Sequence, residues 1–360
     1  MLRLTFVGDI ALDKPLLKAA KARGNGKYDF SDVFHTENVF RDSDLVVGNL
    51  ETVFGGGHRF NKKPYHYNSP DSFCQAIKNA GIDLVSTANN HCMDEGVHGL
   101  CRTLKVLDDA GIAYTGTYAD DTEDRFLVRE IKSVKIAFYA LTYSVNVGME
   151  SLDCEDLYRH INLIGFSGKQ LPWIIKYSTY IIKRKIHQIK KKCLHQSTIA
   201  AHTDTISESK MNQSWMADIE KQVKKAKEQA DYLVVLLHIG GQFNTEPGTF
   251  STYMVEKLLS LGTDVIIGNH PHTVQRVEAN TQRIVAYSLG GYCMSTSGEY
   301  LVHECLPEYS LALHVDIDEK SRALNCSADV LKGTEDENGY LTVAKATDSQ
   351  AETIRLRSKI

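Results

Sequence analysis

Short runs of apolar, β-branched residues recur along the chain, and several end abruptly in a cluster of polar side chains. Residues 2–7 run into Gly8-Asp9, residues 45–47 into Gly48-Asn49-Leu50-Glu51, and residues 83–86 towards Asn89-Asn90-His91. Residues 232–237 run into His238-Ile239-Gly240-Gly241, and residues 264–267 into Gly268-Asn269-His270-Pro271-His272. Runs of this length and composition predict buried strands. Helical periodicity between them predicts helices at 72–80, 96–110, 214–230 and 252–261, and further strands are expected at 135–142, 283–288 and 309–315. Strand, loop, helix and strand in alternation predict an α/β fold. In such sheets ligands bind beyond the carboxyl ends of the strands. Each of the five polar clusters occupies such a position, so one shared site is expected.

Two regions depart from this pattern. Residues 144–213 read as an insertion into a domain spanning 1–320. They include a basic, partly amphipathic run at 181–192, followed by a polar stretch at 197–210. Such a helix could face a protein partner or an anionic surface, although a solvated helix is the simpler reading. The segment 321–360 reads as polar beyond Leu331 and is expected to be peripheral.

Composition narrows the function classes. With 42% hydrophobic residues, 360 residues can bury a large core. A formal net charge of -4 argues against a nucleic-acid binder, which usually carries a basic excess. The 8 cysteines form no C-x-x-C pair, so a cysteine zinc site is not expected, and their scatter suits buried thiols in a reducing compartment. The first residues, MLRLTFVGDI, enter a strand pattern without the features of a signal peptide. No stretch reaches the ~20 apolar residues of a membrane helix. A cytoplasmic protein is therefore expected.

The strand ends supply Asp9, Asn49, Glu51, Asn90, His91, His238, His270 and His272. Imidazole, carboxylate and carboxamide together suit borderline metals such as Mn, Fe, Zn or Ni. One ion with an open position needs three or four protein ligands, so this inventory suffices for two. Glu51 is a candidate bridge or first-site ligand. Taken singly, Gly8-Asp9 is ordinary turn material, and an isolated histidine is more often a hydrogen-bonded core residue. His270-Pro271-His272 is more specific, because the proline rules out a regular central strand and stiffens the turn. Five such clusters in this order outweigh the bland reading of each.

The series Val7-Gly8-Asp9, Asn49-Leu50-Glu51, Ala88-Asn89-Asn90-His91, His238-Ile239-Gly240, Gly268-Asn269-His270-Pro271-His272 and Tyr287-Ser288-Leu289-Gly290 resembles the poly-γ-glutamate capsule synthesis (CapA-like) family. That family is a branch of the calcineurin-like metallophosphoesterases. The resemblance implies a four-layer α/β/β/α sandwich with two divalent transition metals, Mn, Fe or Zn. It implies Asp9 and His272 on the first metal, and Asn90, His238 and His270 on the second. Glu51, with Asn49, would bridge them or complete the first site, and His91 would stand as general acid. The implied activity is hydrolysis of an anionic phosphoester by a metal-bound hydroxide, with His91 protonating the leaving group. The same site could instead cut a γ-glutamyl amide, or serve a non-catalytic subunit of a polymer synthesis or export complex.

The chain also departs from the family pattern. Ala11 stands where the wider superfamily's first motif carries a histidine, which the CapA-like branch also lacks. The branch's usual His-Trp-Gly-x-Glu is here His238-Ile239-Gly240-Gly241-Gln242, and its Ser-Leu-Gly-Asn-Phe is Ser288-Leu289-Gly290-Gly291-Tyr292. Lys62, Lys63, Tyr65 and Tyr67 could meet an anionic substrate, with a solvated loop as the simpler reading. Cys92 and Cys293, beside the motifs, read as packing residues.

Overall fold

The computed structural model describes residues 1–57, 60–61, 66–146, 154–164, 182, 204–205, 213–298 and 301–360. Among them the strands are β1 (Leu2–Ile10), β2 (Phe34–His35), β3 (Leu45–Leu50), β4 (Leu84–Ser86), β5 (Ala113–Thr115), β6 (Leu127–Ile131), β7 (Val134–Thr142) and β8 (Tyr232–His238). They continue as β9 (Val265–Asn269), β10 (Val277–Ala279), β11 (Ile284–Ala286), β12 (Gly291–Cys293), β13 (Tyr309–Ile317), β14 (Leu324–Glu335) and β15 (Leu341–Lys345). The helices are α1 (Lys14–Arg23), α2 (Glu37–Phe40), α3 (Asp71–Asn79), α4 (Gly96–Ala110), α5 (Cys154–His160), α6 (Gln213–Gln229), α7 (Thr249–Ser260) and α8 (Gln350–Ser358).

The strands form two sheets. One runs β2-β15-β14-β13-β1-β3-β4-β5, with β12 also paired to β1, and the other runs β10-β11-β9-β8-β7-β6. The strands that end at the polar clusters pair in parallel: β1 with β3, β3 with β4, and β8 with β9. Their carboxyl ends therefore lie side by side within each sheet. Alternation along β1 sends Leu2, Leu4 and Phe6 into a core shared with Ile136, Phe138, Val234 and Ile267 of the second sheet. The two sheets thus pack face to face.

On the outer face of the first sheet, Val46 and Val85 pack with Leu16 and Leu17 of α1 and with Phe73 and Ile77 of α3. Val235 and Leu237 of the second sheet pack outward against Ile219 and Val223 of α6 and Met254 and Leu258 of α7. Helices outside two central sheets make the expected four-layer α/β/β/α sandwich. Amphipathic helices need one buried stripe each, which these outer faces provide.

The C-terminal segment corrects the expectation for 321–360. β14 pairs with β13 from Leu324 to Lys332, and β15 pairs with β14, so both lie inside the first sheet. Ala351 and Ile354 of α8 belong to the central core. Overall polarity hid a period-two pattern in which Leu324 and Val330 point inward while Asn325 and Ser327 are exposed. The start of the expected insertion is also built into the domain. Leu157, Ile161 and Leu163 pack with Leu100, Leu104 and Trp215, and Leu163 pairs with Thr142. The basic run at 181–192 lies, apart from Ile182, outside the described residues. No helix among the described residues is long and apolar enough to cross a membrane.

Candidate metal centre

Close backbone approach shapes the strand ends. β1 carries a register shift between Phe6 and Asp9. A Cβ on Gly8 would lie 1.8 Å from the Gly290 carbonyl oxygen, and one on Gly268 would lie 2.0 Å from that of Tyr287. Only glycine lets these strands pass each other, and the Asp9 amide then donates to Gly290 O at 3.0 Å. After β9 the chain turns sharply: His270 has φ 101° and His272 φ 54°, on either side of Pro271. Non-glycine residues held at positive φ cost about 1–3 kcal/mol and cluster at functional sites. Here the turn aims the His272 imidazole at Asp9 of β1 and the His270 imidazole at His238 of β8, while the His270 amide donates to Asp9 Oδ2.

All eight side chains named from the sequence converge, and each is at most 4% exposed, so solvent contributes little to their electrostatics. Asp9 Oδ1 accepts from Asn49 Nδ2 at 2.8 Å, and Asp9 Oδ2 lies 2.9 Å from His272 Nδ1. Asn90 Oδ1 lies 2.7 Å from His238 Nε2, which is 3.1 Å from His270 Nδ1. Glu51 lies between the two halves. Its Oε1 is 3.8 Å from His238 Nε2 and 3.9 Å from His91 Nε2, and its Oε2 is 3.7 Å from His272 Nδ1.

This arrangement fits cations. Asp9, Glu51 and His272 form one group and Glu51, His238 and His270 a second, the ligand atoms of each lying within 4.8 Å of one another. Both Glu51 oxygens and Asn49 Oδ1 are buried with no hydrogen-bond partner among the described residues, which is costly unless a cation satisfies them. Burial, with Asp9 and Asp94 nearby, pushes the Glu51 carboxyl well above the usual carboxylate range. Burial, with His270, His272 and His91 around it, holds the His238 imidazole well below its ordinary value. A neutral imidazole presents the lone pair that a metal needs.

Sequence reasoning missed three residues that touch this set. Asp94 Oδ2 lies 2.7 Å from His91 Nδ1 and also accepts from the Tyr67 amide. Tyr143 OH lies 3.3 Å from His270 Nε2, and Asn146 Nδ2 lies 3.3 Å from His91 Nε2. Asp94 was detectable as the carboxylate three residues after His91. Tyr143 and Asn146 follow β7, and the rule about carboxyl ends of strands would have flagged them too. Tyr67 packs against His91 with ring centroids 4.3 Å apart and the rings tilted by 36°, whereas Lys62, Lys63 and Tyr65 lie outside the described residues. The departures can be placed as well. Gln242 Nε2 lies 3.4 Å from His272 Nε2, and Gly291 pairs with Asp9 but offers no side chain. Burial pushes the Cys92 thiol up to about 12 and that of Cys293 well above its ordinary value, in keeping with packing roles.

A sequence model described as "Bacterial capsule synthesis protein PGA_cap" matches residues 3–295, which carry all eight converging side chains. The chain belongs to the PGA_cap family. Among its relatives, the capsule biosynthesis protein CapA of Bacillus anthracis is 23% identical over 315 residues, 86% of this chain and 64% of that protein. The PGA biosynthesis protein CapA of Bacillus subtilis is 22% identical over 320 residues, 86% of this chain and 68% of that one. An uncharacterized protein of Sinorhizobium fredii, y4sH, is 23% identical over 380 residues, 99% of this chain and 78% of its own length. Among solved structures, a 5'-nucleotidase from Candida albicans aligns with a TM-score of 0.40 at 10% identity, covering 98% of this chain and 56% of that one. β13, β14, β15 and α8 all lie beyond residue 295, outside the matched region.

Proposed function

We propose that this PGA_cap protein is a dinuclear metal-dependent hydrolase acting on an anionic phosphoester. The observation that carries the reading is the sharing of Glu51 between two adjacent ligand groups. Asp9 and His272 would hold one divalent cation, His238 and His270 the other with Asn90 beside them, and Glu51 would serve both. Mn, Fe or Zn suits this mixture of carboxylate and imidazole. When bound, such a pair supplies Lewis acidity and lowers the pKa of water.

The protein's own side chains do the rest. Asp94 Oδ2 would accept a hydrogen bond from His91 Nδ1–H, which fixes the ring and leaves Nε2 facing Glu51. His91 Nε2 is thereby placed to pass a proton to a leaving-group oxygen. Asn49 orients the Asp9 carboxylate through its amide, leaving Oδ2 towards His272. Burial of all these groups keeps bulk water from screening them.

Metal content by elemental analysis, paired with turnover of an aryl phosphate, tests this. Two equivalents in the wild type, lost in His270→Ala with His272→Ala, together with metal-dependent turnover, are expected. Absence of metal after reconstitution overturns the reading. Membership of a capsule-synthesis family supports a second reading, in which the same site cuts a γ-glutamyl amide. Release of new amines from poly-γ-glutamate, without turnover of phosphoesters, would select it. Two bound cations with neither substrate consumed would instead indicate a non-catalytic subunit of a polymer-synthesis complex.

A further inference from the structure

The eight converging residues are all buried, so a substrate must meet first whatever lines the mouth. Among the described residues, Tyr143, Asn146 and Gln242 combine solvent access with direct contact to this set, and the last two do so through amides. Asn146 is exposed, yet its Nδ2 lies 3.3 Å from His91 Nε2, and its backbone amide donates to Asn90 O at 2.8 Å. Gln242 is half-buried, with its Nε2 3.4 Å from His272 Nε2. One amide therefore stands over the proposed acid and the other over the opposite ligand group.

From this placement, and resting on the hydrolase reading, we infer that Asn146 and Gln242 are the specificity-determining wall of the site, selecting an anionic phosphoryl group through uncharged amide donors. A carboxamide carries both a donor and an acceptor. Its nitrogen bears two N–H groups, so Asn146 Nδ2 and Gln242 Nε2 can each keep one towards the neighbouring histidine nitrogen and offer the second to a substrate oxygen. Charge makes the choice of amide matter. Asp9, Glu51 and Asp94 already place three carboxyl groups at the centre. A fourth at the rim would repel an incoming anion at short range in a poorly screened site. His91 Nε2 must also come within about 3 Å of the leaving oxygen, and Asn146 Nδ2 now occupies that neighbourhood.

The test is isothermal titration of inorganic phosphate into the manganese-reconstituted full chain, with metal content measured on the same samples. The wild type is compared with Asn146→Asp, Gln242→Glu and Asn146→Ala. Each acidic variant changes the charge at nearly constant shape, and its phosphate affinity is expected to fall on the order of tenfold or more at unchanged metal content. Asn146→Ala, which removes a donor without adding charge, is expected to lose several-fold. Wild-type phosphate affinity in both acidic variants overturns the wall assignment while leaving the hydrolase reading intact. A change of metal stoichiometry in Gln242→Glu also overturns it, because Gln242 would then belong to the metal set. A wild type that holds two metals and binds no phosphate overturns the phosphoester reading, and this inference with it.

Discussion

Replacing Glu51 by glutamine should make the metal-free protein more stable and the metal-loaded protein less so. Glu51 is fully buried, and neither of its oxygens has a hydrogen-bond partner among the described residues. Without cations it is a carboxyl group surrounded by Asp9 and Asp94 and pushed towards protonation. An unsatisfied buried polar group costs about 1–3 kcal/mol, and more when charged. Glutamine keeps the shape, loses the charge, and gains N–H donors facing His91, His238 and His272, each within 4 Å of the present carboxylate oxygens. A gain of about 2 kcal/mol is therefore expected in chelator. At about 2.1 cal/mol/K per residue, 360 residues give an unfolding entropy of about 0.76 kcal/mol/K, so Tm should rise by about 3 °C.

Metal reverses the order. A ligand at a hundred times its Kd stabilises by about 2.7 kcal/mol, about 3–4 °C on the same scale. The glutamine variant forfeits this at both sites because Glu51 serves both. Differential scanning calorimetry of the two proteins, with chelator and with manganese, reads the crossing directly. A variant less stable than wild type in chelator would refute the uncompensated-carboxylate argument. An equal manganese increment in both proteins would show that Glu51 is not a shared ligand.

Three further outcomes follow from packing and titration. Gly8→Ala should cost about 1–3 kcal/mol in denaturant unfolding, towards the upper end because the obstacle to its Cβ is the Gly290 backbone, and it should weaken metal binding by displacing Asp9. Ile354→Ala should cost about 2–5 kcal/mol, since Ile354 is fully buried in the central core; a loss below about 0.5 kcal/mol would return α8 to a peripheral role. Asp13 hydrogen-bonds to Ser295, and burial raises its carboxyl from 3.8 to about 6. The native state therefore holds the proton more tightly than the unfolded state. Its contribution is complete below about pH 4 and is lost as pH rises through about 6, roughly 3 kcal/mol in all. Asp13→Asn should flatten that window in urea melts at pH 4 and pH 7, and an unchanged slope would discount the titration of Asp13.

Much of this protein was legible before any tertiary contact was known. Strands buried on both faces must read as short apolar runs, so β1, β3, β8 and β9 announced themselves. Ligand-bearing side chains belong at their carboxyl ends, so Asp9, Asn49, Glu51, His238, His270 and His272 could be named from position alone. Glycines at 8 and 268 stood beside them because only a missing Cβ lets the strands approach so closely. The tertiary structure decided the rest. Asp9 meets His272 across 263 residues, and no local pattern encodes that distance or the position of Glu51 between two groups. The partners of His91 are split between a carboxylate three residues away and an asparagine 55 residues away on another loop. β14 and β15 joined the first sheet because edge-to-edge hydrogen bonding and a period-two apolar face outweigh the segment's polar composition. Periodicity and strand ends are local properties, written in neighbouring residues. Which ends share an ion, and which side chains guard it, depends on how two sheets and their helices pack.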